Sequence, residues 1–211
     1  KAVSNGRKAE GYNGIGRVYM AQFGQGLRAM YYFRRALGEN QKFAEAQYNL
    51  AMLYRHLRSL DALEAFEKVL NMDADHPDAY FQMAQLLEKK GDRSEAFKHY
   101  ERQIQVTPGH GEARYRLGKL YFAQGKHRAA SRLFAGLMTY GGEVEARAYM
   151  EMAVMSQMAR DFNGAQRLFE AYIESLPEEE QDLYDDISLV ASRDELDLYK
   201  LTPKDERATL Q

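Results

Sequence analysis

Five histidines, His56, His76, His99, His110 and His127, are the residues best able to hold a metal ion or move a proton. No two of them stand at the i, i+4 spacing that places a pair of imidazoles on one helix face. Asp73-Ala74-Asp75-His76 begins like an acidic calcium loop, yet the later glycine and glutamate that complete such a loop are missing. It reads instead as a solvated turn with a helix cap. Gly14-Ile15-Gly16 and Gly24-Gln25-Gly26 are glycine pairs without the preceding strand of a phosphate-cradling loop. The chain has no cysteine, which excludes disulfides, thiol catalysis and thiolate zinc sites and fits a cytosol or a periplasm equally. No Ser, His and Asp set stands in a framework suited to nucleophilic catalysis. The expectation is a non-catalytic protein with no cofactor and no metal.

The elements that carry these residues are helices. The 211 residues, 45% hydrophobic and 28% charged, suffice for a sizeable core. Many Ala, Leu, Tyr, Glu, Gln, Lys and Arg with only four prolines favour helix over sheet. No apolar run approaches the roughly 18 to 20 residues of a membrane span, and no segment resembles a signal peptide. The chain opens on Lys1 rather than methionine, as a piece of a longer protein would.

Two series of residues recur in step. A small residue follows Ile, Leu or Met at Gly16, Ala51, Ala84, Gly118 and Ala153, at spacings of 35, 33, 34 and 35 residues. Ala29, Ala62, Ala96, Ala130 and Ala165 are each followed four residues later by an aromatic: Phe33, Phe66, Tyr100, Phe134 and Phe169. Two series sharing a period of about 34 residues mark an internal repeat. Within each copy, apolar residues at three- and four-residue spacing occur twice, separated by turns such as Lys90-Gly91-Asp92, Gln124-Gly125-Lys126 and Ala159-Arg160-Asp161. Each copy is thus a helical hairpin, in which the small residue of the first helix admits the second helix closely and the aromatic is the knob. Pro77, Pro108, Gly141, Gly142 and Pro177 stand where second helices must stop.

These copies resemble tetratricopeptide repeats. The resemblance is carried by Tyr80, Met83, Ala84, Gly91, Ala96, Tyr100 and Pro108 in one copy and by Leu117, Gly118, Tyr121, Gly125, Ala130 and Phe134 in the next. It implies an all-α fold, a right-handed superhelix of five hairpins at about 9–43, 44–76, 77–110, 111–145 and 146–179, with helical capping segments over 180–211. There are departures: Arg58-Ser59 shortens the second turn, an extra residue falls around Phe23 to Gly26, and Gln103 takes a normally small position.

Such hairpins stack to bury their apolar faces, and the first helices then line a concave surface. The positions three before, one after and four after each small residue share one stripe. They are Asn13, Arg17 and Met20; Tyr48, Met52 and Arg55; Phe81, Gln85 and Glu88; Tyr115, Lys119 and Phe122; Met150, Val154 and Gln157. Aromatics and methionines interleaved with Arg, Lys, Gln and Asn have the composition of an interaction surface. The stripe is a candidate groove for a partner peptide or helix, with Tyr48, Phe81, Tyr115 and Phe122 either anchoring the partner or packing on neighbouring helices. Arg17, Arg55 and Lys119 would meet acidic groups. Some members of the resembled family clamp a chaperone's C-terminal carboxylate with lysines, asparagines and an arginine; here Met52 and Tyr48 occupy those places, and only Arg116, near Glu112, is compatible.

The net charge of −2 argues against nucleic acid as a partner. Residues 178–211 hold eleven acidic against four basic residues, a net of −7, which leaves +5 on residues 1–177. Glu178-Glu179-Glu180 also suits the positive end of a helix. Beyond it, Leu183, Tyr184, Ile187 and Val190 form a stripe suited to a solenoid cap. Ser192 and Glu195 then make a capping box, and Thr202-Pro203 opens a further helix. The run from Asp185 to Ser192 with Leu201-Thr202-Pro203 is similar to the junction before a GWxTD-type domain, which implies a bacterial multidomain protein. The expected function is a scaffold binding a protein or peptide; the alternative is a spacer or self-association region for a further domain.

Overall fold

A computed structural model describes residues 2–184, with side chains described over 6–181. The capping box, the Thr202-Pro203 start, Ile187, Val190 and the GWxTD-like junction lie outside the described residues. Every described element is an α-helix, and the chain divides into two compact units, residues 1–126 and 127–211. The first unit contains α1 (Ala2–Met20), α2 (Gly26–Glu39), α3 (Ala44–His56), α4 (Ala62–Met72), α5 (Ala79–Lys90), α6 (Arg93–Val106) and α7 (Gly111–Ala123). The second contains α8 (His127–Ala135), α9 (Gly142–Met158), α10 (Phe162–Glu174) and α11 (Glu178–Tyr184). The hairpin expected over 111–145 therefore gives α7 to one unit and α8 to the other. α1 and α9 open ahead of the starts, 9 and 146, expected for their repeats.

The repeated residues form the core. Phe33, Phe66, Tyr100 and Phe134 are fully buried, as are the alanines one turn before them; Phe169, in the last copy, is only half-buried. Gly16 shows why the partner position must be small: a Cβ there would lie 2.5 Å from the Phe33 ring. Gly118 is buried inside α7, a helix-packing residue rather than a loop glycine. Between successive hairpins, Ala51, Ala65, Phe66, Val69, Ala79 and Met83 make one cluster spanning α3, α4 and α5. Each fully buried large side chain contributes roughly 1.5–3 kcal/mol through area removed from water.

Four turns end the same way. The N–H groups of Ser59, Asp92, Lys126 and Asp161 donate to the carbonyls of Tyr54, Leu87, Tyr121 and Ser156, and the preceding residue of each pairs three back. This is the Schellman closure, whose penultimate residue is left-handed. Gly91 and Gly125 take it at φ 89° and 72°, but Arg58 and Arg160 also adopt it, at φ 54° and 62°. The departure at Arg58-Ser59 thus preserves the turn geometry. Gln103 also has a structural purpose: fully buried, its Nε2 donates to the Pro77 carbonyl at 2.7 Å and its Oε1 accepts the Phe81 N–H at 2.9 Å. It fastens α6 to the unpaired start of α5.

Candidate functional site

In the first unit the expected stripe divides into two layers. The positions three before the small residues face the neighbouring helices. Asn13 is only 6% exposed and its Oδ1 accepts from Asn49 of α3 at 3.0 Å. Phe81 is 8% exposed, with the His110 ring 4.5 Å and the Tyr100 ring 6.0 Å away. Of the two alternatives left open for Phe81, its burial favours packing on neighbouring helices over anchoring a partner, and Asn13, expected to line the groove, is buried against Asn49 of the next repeat. Tyr48 is half-buried, stacked on His76 at 4.5 Å and set edge-on to Phe66 at 5.8 Å.

Tyr48 also joins a polar knot that the sequence did not indicate. Asp78 stands at the N-cap of α5 without making a cap bond. Its Oδ2 accepts from the Tyr48 hydroxyl and from Gln82 Nε2 at 2.7 Å, and its Oδ1 faces His110 Nε2 at 3.3 Å. His110 Nδ1 meanwhile accepts the Ala113 N–H at 3.1 Å, capping α7, so the Nε2 carries the proton that Asp78 receives. Burial pushes the Asp78 carboxyl up, but the hydrogen bonds from His110, Tyr48 and Gln82 outweigh it and hold the group below its ordinary value. Burial and then the Asp78 bond push the Tyr48 phenol up, so it remains a donor and no nucleophile. The knot ties α3, α5 and α7 across residues 30 and 32 positions apart in sequence.

The upper layer is more open. Arg17 is exposed, and Met20 packs partly on the Phe33, Leu50 and Leu53 cluster. Met52 is half-buried against Ala51 and its neighbours. Arg55 Nη2 donates to Gln85 Oε1 at 2.7 Å, joining α3 to α5. Glu88 accepts the Tyr100 hydroxyl at 2.8 Å and stands 3.8 Å from Arg116, which also pairs with Glu112 at 3.0 Å. Arg55, Gln85, Glu88, Lys89 and Arg116 border a depression of about 430 Å³. Along α7, Tyr115 and Phe122 are half-buried and Lys119 is exposed. Met150, Val154 and Gln157 belong to α9 of the second unit, the first two half-buried and Gln157 exposed. Lys89 and Arg116, which border the depression, were not in the expected stripe; they stand five after and two before their small residues.

Residues 45–76 and 87–153 match two family models of the tetratricopeptide repeat. The tetratricopeptide matches cover α3, α4 and the chain from late α5 into α9. No curated protein matches the sequence. Among solved structures, pilF of Pseudomonas aeruginosa is 19% identical with a TM-score of 0.70, covering 99% of this chain and 98% of that one. MamA of Desulfovibrio magneticus RS-1 is 20% identical with a TM-score of 0.65, over 83% of this chain and 97% of that. YrrB, a TPR protein with an unusual peptide-binding site, is 20% identical with a TM-score of 0.62, over 82% and 89%. At these identities the likeness is one of fold.

Proposed function

We propose that the chain is a non-catalytic protein-interaction module that takes an acidic peptide or helix of a partner on the face of α3, α5 and α7. The observation that carries this reading is the depression bordered by Arg55, Lys89 and Arg116 with Gln85 and Glu88, three cationic side chains against one carboxylate. Arg55 is held there by a neutral amide, Gln85, so that contact positions the guanidinium without neutralising it. Met52 on α3 and Phe122 on α7, both half-buried, would add apolar contact, and Arg17 and Lys119 would extend the cationic character along the stripe. The tetratricopeptide matches support an interaction scaffold, and YrrB shows that a related fold can hold a peptide. Tyr48, Phe81 and Asn13 take no part in this version of the groove: they hold the helices at the spacing the face requires.

Selection of a displayed peptide library on the chain tests it. Enriched sequences should carry Asp, Glu or a free terminal carboxylate, and Arg55→Glu should weaken the selected peptides by about tenfold or more, roughly 1.4 kcal/mol. Enrichment without acidic character, or affinities indifferent to Arg55→Glu, would refute the reading.

A further inference from the structure

The second unit carries a groove that the α3, α5 and α7 face does not involve. A cavity of about 580 Å³ opens between α8 and α9, and its two walls differ in chemistry. The α9 wall is mostly apolar, with Met152 and Met155 one turn apart along it, Ser156 beside them and Met158, 62% exposed, near the end of the helix. Across from it, Arg128 and Arg132 project from α8 at i, i+4 spacing, both exposed. Ser131, between them, donates to Met152 Sδ at 3.5 Å and links the walls. The acidic residue of the lining, Asp161, already accepts the Gly164 N–H at 2.9 Å as the N-cap of α10. Its charge is therefore directed to a helix terminus, and the α8 rim remains cationic.

We infer that this groove receives an acidic amphipathic helix from a partner protein. Methionine thioethers are flexible and polarizable, so they conform to varied apolar side chains, as in other helix-binding grooves. Two arginines at i, i+4 lie about one helical turn apart, the same rise that separates two carboxylates at i, i+4 on a bound helix. An occupant with leucines on one face and glutamates beside them meets both walls at once. The inference rests on the second unit alone and stands or falls separately from the reading of the first.

The test is fluorescence anisotropy of two labelled helical peptides with the same leucine face, one flanked by glutamates and the other by lysines, against the full chain. The glutamate peptide should bind at least about tenfold more tightly than the lysine peptide. Arg128→Glu/Arg132→Glu, with its helix content verified by circular dichroism, should reverse that preference, which a misfolded variant would not do. Met155→Asp should weaken both peptides. Equal binding of the two peptides, no binding of the glutamate peptide, or a preference unchanged by the double reversal overturns the inference. Loss of the preference in Arg55→Glu instead would assign the binding to the first unit. Self-association that Met155→Asp abolishes, with neither peptide bound, would make a second copy of the chain the occupant and also overturn it.

Discussion

At the scale of single residues, one strict constraint is the absence of a Cβ at Gly16, where the obstacle is an aromatic ring of the core. The Phe33 ring fills that space and is itself fully buried, so neither side can give way cheaply. Gly16→Ala should therefore cost about 1–3 kcal/mol as an overpacked contact, despite the better helix propensity of alanine. A urea midpoint equal to or above that of the unaltered chain would contradict the packing account. Titratable residues give a second expectation. Burial lowers the His76 and His99 pKa values, so their stabilising contribution is complete above the unfolded value of about 6.5 and is lost as pH falls through the folded values. Asp78, also depressed, contributes above about pH 3.9 and loses its contribution below that. Stability should thus fall in two stages on acidification; Asp78→Asn should shrink the lower stage and, by removing a charge that raises the His76 pKa, deepen rather than abolish the upper one. Urea midpoints measured from pH 8 to 3 would show this; a flat profile between pH 7.5 and 5 would contradict the buried histidines.

At the scale of the helix and its turn, sequence and structure agree on placement and differ on chemistry. The hairpin turns were legible because Gly91 and Gly125 advertise a left-handed residue, whereas Arg58 and Arg160 reach the same conformation without advertising it. What fixes the turn is the paired backbone closure, which any residue can make at a conformational cost of about 1–2 kcal/mol for an L side chain. Arg58→Gly and Arg160→Gly should each stabilise the chain by roughly 0.5 kcal/mol, the relief of that strain less the extra freedom of unfolded glycine. Gly91→Ala and Gly125→Ala should move the other way. Thermal midpoints of the four variants decide it, and a loss in either arginine variant would mean that the side chain itself has a contact of value. Gln103 belongs at this scale too, because the sequence marked it as too large for its place. The structure shows the opposite need, a buried amide completing the backbone of α5.

At the scale of the whole molecule, the charge is near balance, −2 over 211 residues. Within the basic excess of residues 1–177, Arg116 and Lys68 stand against Glu112 and Glu64. Retention of single-stranded RNA at physiological salt should be no tighter than the non-specific range of about 10⁻⁴–10⁻⁶ M. Submicromolar binding with a steep salt slope would place nucleic acid among the partners. The two units offer different chemistry to proteins: a partly neutralised cationic depression in the first, a methionine wall beside a basic rim in the second. That difference was hidden in the repeat pattern, which assigns equivalent positions to every copy.

The sequence alone determined the all-helical hairpins, their period and most of their core, because a small residue against an aromatic one turn after alanine is a local requirement that recurs in every copy. It also located the helix faces, since the periodicity of 3.6 residues is a property of the single helix. Only the tertiary structure decided which part of each face remains open. Asn13 and Phe81 lie on the expected stripe, yet the next repeat covers them, and coverage depends on how adjacent hairpins stack. The Asp78 knot arose the same way, from side chains 30 and 32 residues apart that no local pattern connects. A repeat specifies its own helices through contacts within reach of its own turn; its surface is set by its neighbours, whose contacts are long-range and depend on the identity of individual side chains.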